Sequence, residues 1–496
     1  MISSSRFFIL PSVLGYWKIT QEQSSSFSFS GFSEIIKLIQ TKQISVKEVV
    51  EFYLARIEKY NSKLNAIVLL KETEKILEDA EKKDNQKDKN KSLFGLPLAV
   101  KDLSDVVGIQ TTYGFKGYKD YFPKKNSFFV DKLIENGAII IGKTNTAELG
   151  VGGHTINRLF GPTSNVYDLS KSSGGSSGGA SSAVAAQLIP FADGTDQMGS
   201  CRNPAAYSNI YGFRPTPGVI ASARSDNQKN IPILTTPGFL SRTPDDMTII
   251  LDSVTGKHNL DPYSFNLKSN FNNFEINDTE LKNIKIGWLS DVNGSYKFEN
   301  EILEICEKKL SELNKHNVKI DFLKPSINTH DLWNSWLTFR SKSIFMDIGS
   351  MDIKDIDEMT YQAIWEYKRG KNIRENDINI AIEKRKRCMD DIEQIFKDYD
   401  FLALPSAQVF PFKKELNYPE KINDFNLDTY HRWIEVFILS SLLELPTITV
   451  PVGFNKNKLP MGMQIIGKKK DDLKVLAFAR KYEQMFNYSK IKPEIK

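Results

Sequence analysis

Serine and glycine fill every position from residue 172 to residue 179, within the sequence KSSGGSSGGASSAVAAQ, which then turns into an alanine-rich helical pattern. Glycine loses more backbone freedom on folding than any other residue, so ordering such a run is unfavourable unless something requires it. Either the backbone must approach another group closely, or a side chain must be held in an unusual geometry. A flexible connection is the default explanation for a serine-glycine run that stands alone.

A phosphate-binding loop is the first known motif that overlaps this run. Gly174 and Gly179 have the required spacing. However, Ala180-Ser181 stands where that motif has lysine followed by serine or threonine. Without the lysine, the match is a weak argument for phosphate binding.

The nucleophile elbow GxSxG is the second overlapping motif, and it fits twice, around Ser176 and around Ser177. The elbow needs a strand before the serine and a histidine downstream of it. The preceding sequence YDLSKSS is a poor strand, and His431 is the candidate histidine. A match within so repetitive a sequence is weak evidence, so the interpretation depends on neighbouring segments.

Short apolar strands alternate with helical patterns along most of the chain. A capping box at Ser45–Glu48 predicts the start of a helix that runs towards Tyr60. Further predicted helices cover about 72–81 and 127–136, and predicted strands cover 93–102 or begin near 138, 284, 401, 447 and 461. The alternation predicts an α/β fold with one large mixed β-sheet core flanked by helices.

Composition divides the chain into a tail, a domain and a variable region within that domain. Residues 1–31 combine a short interrupted apolar run with a serine-rich spacer, which predicts a disordered N-terminal tail rather than a cleaved signal peptide. The predicted domain covers 32–490. From about 256 to 425, asparagine and lysine become frequent, and HDLWNSWLTFRSKSIFMDI is typical of a helical cap. The later IEVFILSSLLELP predicts a buried helix.

Composition also argues against several classes of protein. Of the 496 residues, 66 are basic and 61 are acidic, and their interleaving predicts a solvated surface without a nucleic-acid partner. The three cysteines form no CxxC motif and the five histidines lack ligand spacing, so we expect no metal and a reducing, cytoplasmic environment. No apolar run approaches the roughly 20 residues of a membrane span, so no membrane partner is expected.

Three segments give the serine-glycine run a specific meaning. They are GLPLAVKD before it, GGSSGG within it and GTDQMGSCRNPAAY after it. In this order and at this spacing, they resemble the amidase signature family. The resemblance includes KTNTAELGVGG and LPTITVPVGF, and extends from about Phe32 to the C-terminus. It implies the fold of that family.

The resemblance implies a triad of two serines and a lysine. Ser200 is the expected nucleophile, Lys101 is the expected base, and Ser176 bridges them after a cis peptide bond. The two serines are 24 residues apart, as in the family. A serine hydroxyl is a weak nucleophile until a base takes its proton. Lysine can be that base only when neutral, and burial lowers its pKa from about 10.4.

The family stabilises the reaction oxyanion with backbone N–H groups before the nucleophile. In this chain they belong to Gln197, Met198, Gly199 and Ser200, and each such donor contributes about 3 kcal/mol. We expect Ser177 to hydrogen-bond within the site. Met198 stands where the commoner pattern has a glycine, and a positive φ would be unfavourable there.

Residues beside the nucleophile are expected to hold its turn. Asp196 and Arg202 can pair, because the arginine fork suits a carboxylate. Cys201 is expected to be a small buried apolar residue without a catalytic role. These expectations concern structure rather than chemistry.

The implied function is hydrolysis of a carboxylic amide C–N bond to a carboxylate and ammonia or an amine, through an acyl-enzyme and without a cofactor. The expected partner is a small-molecule amide with an apolar or aryl acyl part, and a homodimer is compatible with this function. Residues 151–155 and 328–365 are expected to line the acyl pocket. Within them, Trp333, Trp336 and Phe339 have a helical spacing that is more typical of a core.

Two alternatives to a stand-alone amidase stay open. One is the glutaminase (A) subunit of a tRNA-dependent amidotransferase, which belongs to another branch of the family. The sequences LDTYHRWIEVFILSSLLELP and GSCRNPAAYSNIYGFRP are more similar to the stand-alone amidases. The other alternative is an inactive binding paralogue, although Lys101, Ser176 and Ser200 are all present.

Overall fold

The structure is a computed structural model that describes residues 31–223 and 231–495. Its strands are β1 (Ile67–Leu70), β2 (Pro97–Lys101), β3 (Ile139–Thr144), β4 (Phe191–Asp196), β5 (Tyr211–Arg214), β6 (Thr236–Ser241), β7 (Lys285–Trp288), β8 (Lys319–Phe322), β9 (Phe401–Pro405), β10 (Lys421–Ile422), β11 (Phe425–Asn426), β12 (Thr447–Phe454) and β13 (Pro460–Gly467). Its helices are α1 (Phe32–Gln40), α2 (Val46–Leu64), α3 (Thr73–Asp84), α4 (Phe128–Glu135), α5 (Gly178–Ala185), α6 (Arg202–Ser208), α7 (Pro244–Val254), α8 (Asp278–Asn283), α9 (Ile302–Lys315), α10 (Thr329–Gly349), α11 (Tyr361–Lys371), α12 (Glu375–Ile395), α13 (Ile438–Leu442) and α14 (Asp472–Phe486). Apart from residue 31, the predicted tail lies outside the described residues.

Eight strands form the large sheet, in the order β4-β6-β5-β12-β13-β9-β7-β8. Neighbouring strands are antiparallel from β4 to β9, whereas β9, β7 and β8 run parallel. Successive residues of β12 from Thr447 to Val452 are buried, so both faces of this central strand are covered. The predicted α/β fold with a large mixed sheet flanked by helices is confirmed.

A second, three-stranded sheet has the order β1-β3-β2, and it contains the strands predicted at 93–102 and from 138. The sequence suggested a single sheet. In the structure, however, β2 pairs with β3 in parallel, and β3 pairs with β1 antiparallel. The end of β2 reaches the large sheet through a side chain instead, because the Lys101 N–H donates to Asp193 Oδ1 on β4 at 2.8 Å. Lys101 therefore lies at the junction of the two sheets.

The predicted capping box is present at the start of α2. The Ser45 hydroxyl accepts the Glu48 N–H at 3.1 Å, and the Glu48 carboxylate accepts the Ser45 N–H at 2.8 Å. The helix continues past Tyr60 to Leu64, where Asn65 adopts a left-handed conformation with φ 51°. Asparagine tolerates this conformation well, which explains the end of the helix.

The buried helix predicted from IEVFILSSLLELP is much shorter in the structure. A 3₁₀ segment covers Arg432–Phe437, and the α-helix α13 covers only Ile438–Leu442. Side chains from other segments form hydrogen bonds with backbone groups that would bond to each other within a longer helix. Gln408 accepts the Val436 N–H at 3.1 Å, and Gln464 donates to the Val436 carbonyl at 3.3 Å.

The region from 256 to 425 contains both core strands and a helical cap. Strands β7, β8 and β9 belong to the large sheet, and α10, α11 and α12 form the cap. On α10, Trp336 and Phe339 are fully buried and Trp333 is 6% exposed, as their helical spacing predicted for a core. Within the described residues, no helix combines the length and apolar character needed to span a bilayer.

Candidate active site

Lys101, the predicted base, is the last residue of β2 and is completely buried. Its Nζ atom lies among three hydroxyl oxygens: 2.8 Å from Ser176, 2.7 Å from Ser177 and 2.9 Å from Thr195. Burial penalises the ammonium form and lowers the pKa of Lys101 to about 8, although Cys201 and nearby aspartates oppose the change. The neutral form of this lysine is therefore far more accessible near physiological pH than that of a solvent-exposed lysine.

The serine-glycine run is a tightly packed loop that ends at the start of α5. The peptide bond between Gly175 and Ser176 is cis. A Cβ atom on Gly175 would lie 2.7 Å from the backbone of His154, so this position requires glycine. The Ser176 carbonyl accepts the Ala147 N–H at 3.3 Å and the Thr155 hydroxyl at 3.1 Å. The run therefore serves close backbone packing and is not a flexible connection.

The predicted nucleophile Ser200 lies in the turn between β4 and α6. Ser200 is 8% exposed and borders a cavity that Ser176 also borders. The Ser177 N–H donates to the Ser200 carbonyl at 3.2 Å, which ties the serine-glycine loop to this turn. The structure thus brings Lys101, Ser176, Ser177 and Ser200 to one place.

A buried ion pair holds the nucleophile turn. The Arg202 guanidinium donates to both Asp196 oxygens, from Nε at 3.0 Å and from Nη2 at 2.8 Å. Burial opposes ionisation of Asp196, but Arg202 and Arg214 outweigh it and hold the pKa of this carboxyl well below its usual range. The remaining Arg202 donors reach Ser440, Ser441 and Gln464, so the buried cation is fully paired.

The backbone donors before Ser200 differ in availability. The Gly199 N–H donates to Asp196 at 2.9 Å, so unlike the other expected oxyanion donors it is already engaged. Gly199 has φ +87°, whereas Met198 avoids the left-handed region that would be unfavourable for it. A Cβ atom on Gly199 would also lie 2.4 Å from the Phe437 ring. The N–H groups of Gln197, Met198 and Ser200 are thus the candidate donors.

The cavity beside Ser200 has a volume of about 270 Å³. Its apolar lining includes Leu103, Leu149, Val151, Ile344, Ile348 and Met351. The two segments expected to line it both contribute, through Val151 and through residues of α10 and the turn after it. Sequence reasoning missed Leu103 and Thr195 as lining residues. Leu103 lies two residues after Lys101, and Thr195 is the central residue of GTD.

His431, the histidine of the alternative elbow interpretation, is buried among aromatic rings. Its ring lies 5.1 Å from Trp333 and 4.4 Å from Tyr430 between centroids. Neither ring nitrogen has a hydrogen-bond partner in the described part of the chain. Burial lowers its pKa well below the ordinary value, and nearby arginines add to this effect. His431 therefore activates neither serine of the elbow motif.

Comparisons with known proteins identify the family of this chain. The amidase family model matches residues 48–476. An acylamidase of Rhodococcus erythropolis is 30% identical over 473 residues, covering 93% of this chain and 96% of that protein. The A subunit of the glutamyl-tRNA(Gln) amidotransferase of Saccharolobus solfataricus is 28% identical, covering 89% of this chain and 93% of that protein.

Among solved structures, a bacterial aryl acylamidase of the amidase signature enzymes is similar, with a TM-score of 0.85 and 26% identity. The similarity covers 93% of this chain and 97% of the acylamidase. The family match, the relatives and the fold all extend over most of the chain. The chain therefore belongs to the amidase signature family of hydrolases that act on amide C–N bonds.

Proposed function

We propose that this protein is a stand-alone amidase that uses Ser200, Ser176 and Lys101 and forms an acyl-enzyme. The observation that carries the proposal is the position of the Lys101 amine, buried among three hydroxyls beside the cavity that Ser200 borders. A neutral amine has one lone pair and two N–H groups. It can accept a proton from one hydroxyl while donating to the other two.

The first half of the reaction cleaves the amide. Ser200 Oγ attacks the carbonyl carbon while its proton passes through the Ser176 hydroxyl to Lys101 Nζ. In this proposal the N–H groups of Gln197, Met198 and Ser200 donate to the oxyanion and stabilise it. When the tetrahedral intermediate collapses, Lys101 returns the proton through Ser176 to the leaving nitrogen. Ammonia or an amine departs, and the acyl group remains on Ser200.

The second half of the reaction restores the enzyme. Water takes the place of the departed amine and loses a proton along the same relay as its oxygen attacks the acyl carbonyl. Collapse of the second intermediate returns that proton to Ser200 Oγ and releases the carboxylic acid. No cofactor is needed in either half, because proton transfer and covalent catalysis account for every bond change.

Ammonia release from aliphatic, aryl and amino-acid amides by the purified chain tests this proposal. We expect hydrolysis by the wild type and its loss in Ser200→Ala. Ser208→Ala is a matched control, since Ser208 is a buried serine on α6 whose hydroxyl bonds to that of Ser181, at 3.1 Å. Adding hydroxylamine should divert product to a hydroxamate if an acyl-enzyme forms. Hydrolysis that survives in Ser200→Ala would overturn the proposed nucleophile.

A glutaminase subunit is the second candidate, favoured by the amidotransferase A subunits among the relatives. Free glutamine carries an α-carboxylate that needs a cationic partner. Of the described residues that line the cavity, none is a lysine or arginine. Glutamine hydrolysis that depends on added partner subunits would support the glutaminase function instead.

The cellular setting remains part of the proposal. We infer a cytoplasmic enzyme because Cys201, Cys306 and Cys388 are all free thiols in buried positions.

An inactive binding paralogue would fail to react with a fluorophosphonate probe for serine hydrolases, which we expect to label Ser200. A homodimer stays a prediction that sedimentation analysis can test.

A further inference from the structure

A buried polar network on the cap ends at the nucleophile turn. On α10, Arg340 Nε donates to Glu366 Oε1 at 2.7 Å, and Arg340 Nη2 donates to the Tyr430 hydroxyl at 3.0 Å. The Tyr430 hydroxyl in turn donates to Glu366 Oε1 at 2.6 Å. All three residues are at most 4% exposed. The guanidinium is therefore fixed in position and orientation.

The remaining contact of this guanidinium is with Gln197. Arg340 Nη1 donates to Gln197 Oε1, across 143 residues of sequence. Because arginine has only donors, the atom that faces it must be the amide oxygen and not the amide nitrogen. The network thus determines which way the Gln197 amide is turned.

The Gln197 amide nitrogen is directed away from this network. Gln197 borders the cavity beside Ser200 and is only partly buried. In the described part of the chain, its Nε2 atom donates to no protein acceptor. Two N–H groups are therefore offered to whatever occupies a cavity in which apolar side chains alternate with the hydroxyls of Thr195 and Thr235 and the carboxylate of Asp347.

We propose that Gln197 Nε2 is a specificity-determining donor, that Arg340 is the positioning residue that orients it, and that the enzyme selects amides whose acyl part carries a hydrogen-bond acceptor. This inference rests on the proposed function. A purely hydrocarbon acyl group would fill the cavity and leave the Gln197 donors buried without a partner, which disfavours its binding. A ring nitrogen, ether or second carbonyl would accept from them.

Benzamide and the three pyridinecarboxamides provide a matched substrate set, because exchanging CH for N changes the acceptor with little change in shape. We expect the wild type to prefer at least one pyridine isomer to benzamide in kcat/KM. In Gln197→Met this preference should fall about 10- to 100-fold. Comparing preferences between variants removes the intrinsic reactivity of each amide. An unchanged preference would overturn the proposal.

Arg340→Met tests the positioning role separately. With the Gln197 amide free to rotate, the pyridine preference should fall as in Gln197→Met, mainly through KM, and Arg340→Lys should restore part of it. Gln362→Met is the matched control, since Gln362 is a buried glutamine on α11 that does not border the cavity. A loss of preference equally large in Gln362→Met would show a general effect of the cap and contradict the proposal.

Binding to Ser200→Ala provides a readout that needs no turnover. Isothermal titration calorimetry of the four amides should show the same preference and its loss in the Ser200→Ala/Gln197→Met double variant. If the wild type fails to hydrolyse amides while this binding preference holds, the proposed reaction fails and the donor assignment stands. Equal binding of all four amides would overturn the donor assignment.

Discussion

Lys101 and Lys143 lie on neighbouring strands of the small sheet, where Lys101 pairs with Thr144 and Lys143 with Val100. Both side chains are completely buried, and burial lowers the pKa of each to about 8. Their partners differ. The Lys101 amine lies among three hydroxyls, whereas the Lys143 amine donates to the carbonyl oxygen of Ser104.

A hydroxyl can both give and accept a proton, but a carbonyl can only accept a hydrogen bond. Charges near Lys143, chiefly Asp102 and Asp193, favour its ammonium form against the effect of burial. Burial therefore lowers the pKa of both lysines towards neutral pH. The hydrogen-bond partners then decide which of the two amines can transfer a proton. In the proposed mechanism Lys101 is the base, whereas Lys143 faces the buried carboxylates of Asp102 and Asp193.

The largest expected effect is that of Lys101→Met. Without a base, kcat/KM should fall by about 10⁴-fold or more, because the nucleophile, relay and base act as a unit. Ammonia release measures the loss, and circular dichroism checks that the variant is folded. A folded Lys101→Met that keeps activity within tenfold of the wild type would show that Lys101 is not the base and that the two buried lysines do not differ in this role.

Lys143→Met should act on stability instead. It removes a cation that faces buried Asp102 and Asp193, and such a loss lowers the free energy of unfolding by about 3–5 kcal/mol. Urea denaturation measures this change. The folded fraction should hydrolyse amides far better than Lys101→Met does. Loss of turnover without loss of stability would place Lys143 in the catalytic machinery.

The pH dependence separates the two lysines further. Since only neutral Lys101 is a base, kcat/KM should approach a tenfold fall per pH unit well below pH 8, and should fall about 50-fold between pH 8 and 6. Lys143→Met should keep this midpoint. A profile that is flat between pH 6 and 9 would contradict a lysine base.

Stability should respond to both lysines in a higher pH range. Their folded-state pKa of about 8 lies below the unfolded value of about 10.4, so between these values the unfolded chain binds more protons. Stability contributed by the two groups therefore rises with pH in this window. The rise should be smaller in either single methionine variant when urea titrations are repeated at pH 8 and pH 10.

Ser177→Ala should have a smaller effect. Ser177 supplies the shortest of the three hydroxyl contacts to Lys101, at 2.7 Å, but its side chain does not border the cavity. Loss of one hydrogen bond around the amine should reduce kcat/KM about tenfold. Ammonia release from a rapidly hydrolysed amide, sampled at fixed times, measures this change in kcat/KM. A loss as large as that of Ser200→Ala would assign the relay to Ser177 instead of Ser176.

The smallest effect is expected for His431→Phe. His431 is a third buried base, but it has neither hydroxyl nor carbonyl partners among the described residues. Replacement by phenylalanine preserves the aromatic packing, so kcat/KM should stay within about threefold of the wild type. Steady-state kinetics at pH 8 would measure this. A loss of 100-fold or more would revive the elbow interpretation.

The sequence predicted the fold class and the residues that meet at the site, because both depend on local patterns. Apolar strands, a capping box and three compact motifs are readable within windows of about ten residues. The family resemblance pointed to Lys101, Ser176 and Ser200, which the structure brings close together. Their mutual spacing in the chain is specific enough to be recognised in a single sequence.

Other features depend on contacts that no local pattern encodes. The bond from Arg340 to Gln197 joins residues that are 143 positions apart, and α13 begins only at Ile438, after Val436, whose backbone groups bond to distant glutamines. Likewise, the engagement of the Gly199 N–H by Asp196 needs the three-dimensional turn. Hydrogen bonds between distant residues, rather than local helix or turn propensity, determine these three features.

The two residues before the nucleophile have different mutational tolerance. Met198 avoids the left-handed region, so packing sets its tolerance: the side chain is 3% exposed and belongs to the hydrophobic core. At Gly199, any side chain would meet both an unfavourable φ of +87° and the Phe437 ring. Directed evolution of substrate range should therefore restrict position 198 to apolar residues of similar size and leave Gly199 unchanged.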